Sequence, residues 1–361
     1  MSRSLRVLVV DDSAYNRRTI GELLSTIPEV EVLGKASDGD EALRLAATLQ
    51  PDLITLDLEM PRMDGFTFLR LLMAKRPTPV IVVSGYSNKE NVFRALELGA
   101  IDFVAKPTRT VTTDLQDIRQ ELEEKVTMVR HLAPAGLDTE RTGALQRGTT
   151  ATGAFRTLRG RERDTAEIEA AEEPARLLVV GASTGGPTAL VELFARLPAN
   201  AAVVVAQHMP ERFTRTFAER LDRVSRLTVG EISDVGPLRP GTGWVCPGGR
   251  CIEVQRRAGK LVAAVVDASE SDRYVPSVNR LFTSAAQVLG ERVVGVVLTG
   301  MGDDGAQGVG VIKERGGRVV AEAPETAVIY GMPGAAMRTG SVDESLALSD
   351  LAEALAGLLG S

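Results

Sequence analysis

Cysteine and histidine are scarce here: 361 residues contain two of each. Cys246 and Cys251 flank a Pro-Gly-Gly turn, a spacing open to pairing or metal binding, yet in a reducing compartment they read as structural thiols. With only His131 and His208 to join them, a zinc site is not expected. A surplus of basic charge is also missing. The formal net charge is -6, which argues against a general nucleic-acid binder, whose affinity would rest on a basic surface. No apolar run reaches membrane-spanning length, and Met1-Ser2-Arg3-Ser4-Leu5-Arg6 leads into a strand without the apolar core of a signal peptide. The expectation is a soluble cytoplasmic protein without membrane insertion.

What is present is hydrophobic residues at 44% of the chain, enough for two cores at this length. Short apolar strands are expected at Val7 to Val10, Val30 to Leu33, Leu53 to Leu56, Val80 to Val83 and Ile101 to Val104, with amphipathic helices between them. That alternation predicts a doubly wound α/β domain with a parallel five-stranded sheet, which binds its ligand beyond the carboxyl ends of the strands. Asp11 and Asp12 follow the first strand, Asp57 the third, Ser84 the fourth and Lys106 the fifth. Three carboxylates in one crevice repel one another, and a hard divalent cation such as Mg2+ relieves the repulsion. A carboxylate beside such a cation is suited to attack phosphorus, with Lys106 neutralising phosphoryl oxygens and Ser84 donating a hydrogen bond. The competing reading makes Asp12 and Asp57 helix caps and Lys106 a solvated turn residue.

Residues 1–108 form this first domain. A helical pattern from Asp114 to His131 follows, with His131 as a solvated residue at its end, and Ala133 to Pro174 loses all periodicity. Residues 109–175 are therefore assigned to a terminal helix and a flexible tether. Residues 176–361 resume the alternation, with strands expected at Leu177 to Val180, Ala202 to Ala206, Leu227 to Ile232, Val293 to Leu298 and Val319 to Glu322. Helices are expected at Thr188 to Arg196, Arg212 to Arg223, Ser277 to Leu289, Gly305 to Glu314 and Leu346 to Leu359, and a strand-rich β-hairpin insertion around Trp244 to Val266.

In this second domain Gly181-Ala182-Ser183-Thr184-Gly185 has the G-x-S-x-G spacing of a nucleophile elbow, between an apolar strand and a helix whose first turn tolerates Pro187. Glycine-rich turns of this kind also cradle phosphates, so a nucleophile needs a partner base. A dinucleotide site is disfavoured, because Gly181-x-x-x-Gly185-Gly186 misses the G-x-G-x-x-G spacing. The domain's one histidine, His208, follows the apolar run Ala201 to Ala206, and Asp303-Asp304 follows Val293 to Leu298. Ser183, His208 and one of the two aspartates are therefore expected to converge above one sheet edge as nucleophile, base and orienting carboxylate, in an order unlike that of the familiar serine hydrolases. A packed histidine and a helix-capping aspartate are the alternatives.

Val7-Leu-Val-Val-Asp11-Asp12-Ser13, Leu56-Asp57-Leu-Glu59-Met60-Pro61, Ser84-Gly85 and Ala105-Lys106-Pro107 resemble the response-regulator receiver family, with its flavodoxin-like fold. The resemblance implies that Asp57 accepts a phosphoryl group from a chemotaxis histidine kinase, and that Asp12, Asp57 and the Glu59 carbonyl bind Mg2+ with Asp11 supporting. It also implies Ser84 and Phe103 as switch residues and a cis proline after Lys106. Gly181-Ala-Ser183-Thr-Gly-Gly186, Gln207-His208-Met-Pro210, Pro247-Gly-Gly249, Pro276-Ser277-Val278 and Leu298-Thr-Gly-Met301-Gly-Asp-Asp304-Gly305 resemble the catalytic domain of chemotaxis-specific protein-glutamate methylesterase/glutaminase. That resemblance implies a Ser183-His208-Asp304 triad, with Asp304 chosen over Asp303. Thr184 and Met301 would line the site, the Met301 amide as an oxyanion donor, and no cofactor would serve the hydrolase. The implied substrates are methyl-accepting chemotaxis receptors, and the unphosphorylated receiver would cover the active site. Cys251, Tyr274-Val275 and Asn279 depart from the family pattern near the expected substrate surface, and the long linker is a further departure.

Overall fold

The computed structural model describes residues 3–85, 89–106, 113–129 and 173–360. The chain divides into two compact units, Met1–Leu145 and Gln146–Ser361. His131 and Pro107 lie outside the described residues, as does the tether expected from Ala133 to Pro174 except for its last two residues. No helix among the described residues is long and apolar enough to cross a membrane.

The N-terminal unit is built on β1 (Leu5–Val10), β2 (Val30–Ala36), β3 (Leu53–Leu56), β4 (Val80–Ser84) and β5 (Asp102–Ala105). They form a parallel sheet in the order β2-β1-β3-β4-β5. β3 and β4 are buried along their whole length, which is why they read as continuous Val/Ile/Leu runs, whereas β2 on the edge is half-exposed. Helices α1 (Ala14–Ser25), α2 (Gly39–Leu49), α3 (Gly65–Lys75), α4 (Lys89–Glu97) and α5 (Thr113–Val129) connect and flank the strands. Ser13, Asp38 and Asp64 cap α1, α2 and α3 by accepting the amides of Asn16, Glu41 and Thr67. Asp12 and Asp57 therefore cap none of these three helices, and the capping reading of these two residues fails. From β1 the chain first steps outward to β2 and then across to β3, which opens a crevice above β1 and β3.

The C-terminal unit contains β6 (Leu177–Ala182), α6 (Gly186–Phe194), β7 (Ala202–Gln207), α7 (Glu211–Val224), β8 (Thr228–Glu231), β9 (Val235–Pro237) and β10 (Thr242–Val245). It continues with β11 (Cys251–Arg257), β12 (Lys260–Val266), α8 (Val278–Leu289), β13 (Val293–Val297), α9 (Ala306–Glu314), β14 (Arg318–Glu322), α10 (Met332–Arg338), β15 (Glu344–Leu346) and α11 (Leu348–Gly360). Seven strands pair in parallel in the order β15-β14-β13-β6-β7-β10-β8. β6, β7 and β13 at its centre are wholly buried, and the order reverses at β6, so the crevice opens above β13, β6 and β7.

Two expectations change. Trp244 belongs to β10, which lies between β7 and β8 in the main sheet, so the insertion proper is the β11–β12 hairpin, joined by β9 in a separate antiparallel sheet. A four-residue strand carrying Gly243 has too little pattern to be told from the hairpin that follows it. Leu346 ends strand β15, opposite Glu322 of β14, and the last helix begins only at Leu348. Leucine spacing cannot separate a three-residue edge strand from a first helical turn; sheet pairing decides it.

Candidate functional site

Above β1 and β3 of the N-terminal unit, Asp11, Asp12 and Asp57 bring one carboxylate oxygen each to within 4.8 Å of the others. Asp11 and Asp57 are buried and Asp12 is exposed. Asp11 is held by the Ser13 amide at 2.9 Å, and Asp57 by the Glu59 amide at 3.2 Å. Lys106, from the end of β5, lies 2.5 Å from Asp57 Oδ2 and 2.9 Å from Asp11 Oδ2. Burial, with a smaller push from Asp11, raises the Asp57 carboxyl to about 6 against the pull of Lys106. One ammonium does not compensate two buried carboxylates, and the all-oxygen donor set fits a hard divalent cation. Among the described residues the Ser84 hydroxyl reaches only Gly85 O, at 3.4 Å. Phe103 is buried, and the Lys125 ammonium of α5 stands 5.0 Å from its ring centre while donating to its carbonyl.

In the C-terminal unit the register Ala182↔Gln207 sets Ser183 beside His208, and the His208 amide donates to Ala182 O at 3.0 Å. His208 Nε2 lies 2.9 Å from Asp304 Oδ2, leaving Nδ1 for another partner. Among the described residues no hydrogen bond joins the Ser183 hydroxyl to His208; histidine and aspartate are in direct contact, and serine is adjacent through the backbone. Asp304 is fully buried. Its Oδ2 also accepts the Val278 amide at 2.8 Å, and its Oδ1 accepts the Asn279 and Gly305 amides at 3.0 Å each. Val278 and Asn279 open α8, so the carboxylate occupies the positive end of that helix. Asp303 instead faces outward, paired with Arg273 at 3.3 Å and with the Tyr274 hydroxyl at 2.9 Å.

Gln207 clamps the turn. Its Nε2 donates to Ser183 O at 2.8 Å and to His208 O at 2.9 Å, and a side chain at Gly186 would overlap it. Thr299 supplies the other wall: its carbonyl accepts the Ser183 amide at 3.0 Å, and its hydroxyl donates to Thr184 O at 2.9 Å. Thr184 is thus buried in the floor of the site. Met301 follows on the same segment, half-buried, and its amide has no acceptor among the described residues. Tyr274 stacks on the imidazole with ring centres 5.4 Å apart and planes 7° apart. A cleft of about 460 Å3 opens beside it, lined by Arg273, Arg280, Glu253, Asp272, Asp303 and Asp304 among others.

Of the family departures, Tyr274 and Asn279 line the cleft, whereas Cys251 does not. Tyr274 is at the site, before the cis Val275–Pro276 bond. Asn279 is half-buried and accepts the Gly308 amide at 2.8 Å, tying α8 to α9. Cys251 is buried beneath the surface, its thiol pushed up chiefly by burial. Sequence reasoning missed Gln207 as a clamp although it is the neighbour of His208, and it gave Tyr274 no contact with the imidazole. Neither the α8 amides nor Glu322, which holds the Thr299 amide at 2.8 Å, carries a local signal.

Residues 178–355 match the CheB methylesterase family model, and residues 7–118 match the response regulator receiver domain model. The protein-glutamate methylesterase/protein-glutamine glutaminase 3 of Geobacter sulfurreducens is 49% identical over 354 residues, covering 96% of this chain and 95% of the relative. A protein-glutamate methylesterase/protein-glutamine glutaminase of Myxococcus xanthus is 44% identical over 356 residues, covering 98% and 97%. The CheB methylesterase catalytic domain of Thermotoga maritima is 36% identical, with a TM-score of 0.49 over 51% of this chain and 98% of that one. With a receiver fold in one unit, a half-buried histidine on a buried aspartate beside a glycine-flanked serine in the other, and relatives aligned over 96–98% of its length, the chain belongs to the CheB family of protein-glutamate methylesterases/protein-glutamine glutaminases.

Proposed function

We propose that the chain is a serine hydrolase acting on glutamate methyl esters, and on glutamine side chains, of methyl-accepting chemotaxis receptors in the cytoplasm, and that phosphorylation at Asp57 raises its rate. The observation that carries the reading is the His208–Asp304 contact, anchored by three backbone amides at the strand end next to Ser183. In this reading Ser183 attacks the ester carbonyl and its proton passes to His208 Nδ1, while Asp304 fixes the ring and faces the charge that develops on it. The Met301 amide donates to the oxyanion. The proton then leaves with methanol, water enters by the same base, and glutamate is released; from glutamine the leaving group is ammonia.

In the N-terminal unit Asp57 is the phosphoacceptor for a chemotaxis histidine kinase. Asp11, Asp12 and Asp57, with the Glu59 carbonyl, would hold Mg2+, whose charge offsets that of the phosphoryl group. Lys106 pairs with the added oxygens, Ser84 turns its hydroxyl toward them, and Phe103 follows as the aromatic partner of that move. Residues 109–175 connect the two domains in this proposal.

Methanol release from a methylated receptor, measured on the full-length chain with and without a small acyl phosphate and Mg2+, tests both halves. Ser183→Ala abolishes release, and Asp57→Asn keeps the basal rate and loses the stimulation. Release by the Ser183 variant would remove the hydrolase; stimulation of the Asp57 variant would remove the switch.

A further inference from the structure

Glu322 is the last residue of β14 and is fully buried. Its Oε2 accepts the Thr299 amide at 2.8 Å, while its Oε1 is buried with no direct hydrogen bond among the described residues. Thr299 in turn binds both residues of the elbow: its carbonyl takes the Ser183 amide, and its hydroxyl reaches the Thr184 carbonyl. The same hydroxyl accepts the Ile329 amide at 2.9 Å, so Thr299 has no freedom to shift alone. Met301, whose amide has no acceptor among the described residues, is two residues further along. One carboxyl group in the core therefore fixes the segment that braces the serine turn and carries the Met301 amide.

We propose that Glu322 is a positioning residue for the hydrolysis, holding the Thr299–Met301 segment through the Thr299 amide, and that loss of its proton weakens the site. This rests on the proposed serine hydrolase. An ionised Glu322 would set a second negative charge behind the amides that must receive the oxyanion, in an interior where water does not screen it. Its surroundings favour the protonated form: burial, and to a lesser degree Glu192 of α6, raise the carboxyl to about 7, against the Thr299 amide and the neighbouring Thr326 side chain. Glu192 is itself paired with Arg196 at 2.9 Å.

Hydrolysis of p-nitrophenyl acetate by the full-length chain, followed as kcat and KM from about pH 5.5 to 9, provides the test. The wild type shows a fall in kcat centred near pH 7 at unchanged KM. Glu322→Gln, which keeps the acceptor and cannot ionise, removes that fall and keeps kcat at low pH within about threefold of wild type. Glu322→Leu, which strands the Thr299 amide, lowers kcat at every pH by roughly tenfold or more. A descending limb that survives in Glu322→Gln, or a Glu322→Leu variant as active as the wild type, overturns the inference. Hydrolysis that persists in Ser183→Ala overturns the proposed function itself, and this inference with it.

Discussion

Asparagine at position 304 tests the site most sharply, because the four hydrogen bonds of Asp304 make the outcome calculable. Oδ2 faces the Val278 amide and His208 Nε2, and Oδ1 faces the Asn279 and Gly305 amides. An asparagine NH2 must take one of those two positions. At Oδ1 it confronts two backbone donors; at Oδ2 it confronts only one, provided that His208 Nε2 gives up its hydrogen and accepts. Each buried donor left without an acceptor costs about 1–3 kcal/mol, so the second orientation wins by roughly that amount. It moves the imidazole hydrogen to Nδ1, the nitrogen that must accept the serine proton. Asp304→Asn should therefore stay folded, losing about 1–3 kcal/mol, or roughly 2–12 °C in the melting of the C-terminal unit. Its kcat for methanol release should fall by about three to four orders of magnitude, the effect expected of a base locked in the wrong tautomer. Turnover within tenfold of wild type, with the melting loss present, would refute the role of the His208–Asp304 pair.

Gln207→Leu strands the carbonyls of Ser183 and His208, so kcat should fall between about tenfold and a hundredfold with KM little changed; an unchanged kcat would show that the clamp is dispensable. Gly65 packs directly on the backbone of Asp57 and Leu58. Gly65→Ala should therefore cost roughly 1–3 kcal/mol and cut phosphoryl incorporation from an acyl phosphate, and full incorporation would contradict the account of the acceptor loop. The Glu322 carboxyl is raised from 4.5 to about 7 in the folded chain. Protonation there stabilises the fold fully below about pH 4.5, and the contribution is lost as pH rises through 7, an upper limit of roughly 3 kcal/mol. Thermal unfolding should show that pH dependence in the wild type and its loss in Glu322→Gln; parallel curves would exclude it.

The strands that carry chemistry were legible because parallel strands buried on both faces must be apolar throughout, and because polar residues in such a sheet collect where the strands end. Asp11, Asp57, Lys106, Ser183 and His208 were located in this way. Residues whose roles depend on contacts across the fold were not. Asp304 could not be told from Asp303 by its chemistry; family resemblance preferred it, and the amides of α8 explain why it is the buried one. Trp244 and Leu346 were misplaced because short strands acquire identity only from their neighbours in the sheet.

The sequence by itself determined two parallel α/β sheets, the strand ends at which reactive groups gather, and the family to which their motifs point. Only the tertiary structure decided which aspartate touches the histidine, which amides hold it, that Gln207 and Thr299 brace the serine turn, and that Tyr274 lies over the imidazole. The reason is that a strand's pattern is written in the residues it contains, whereas a hydrogen bond between residues nearly a hundred positions apart exists only once the sheet order has brought them together.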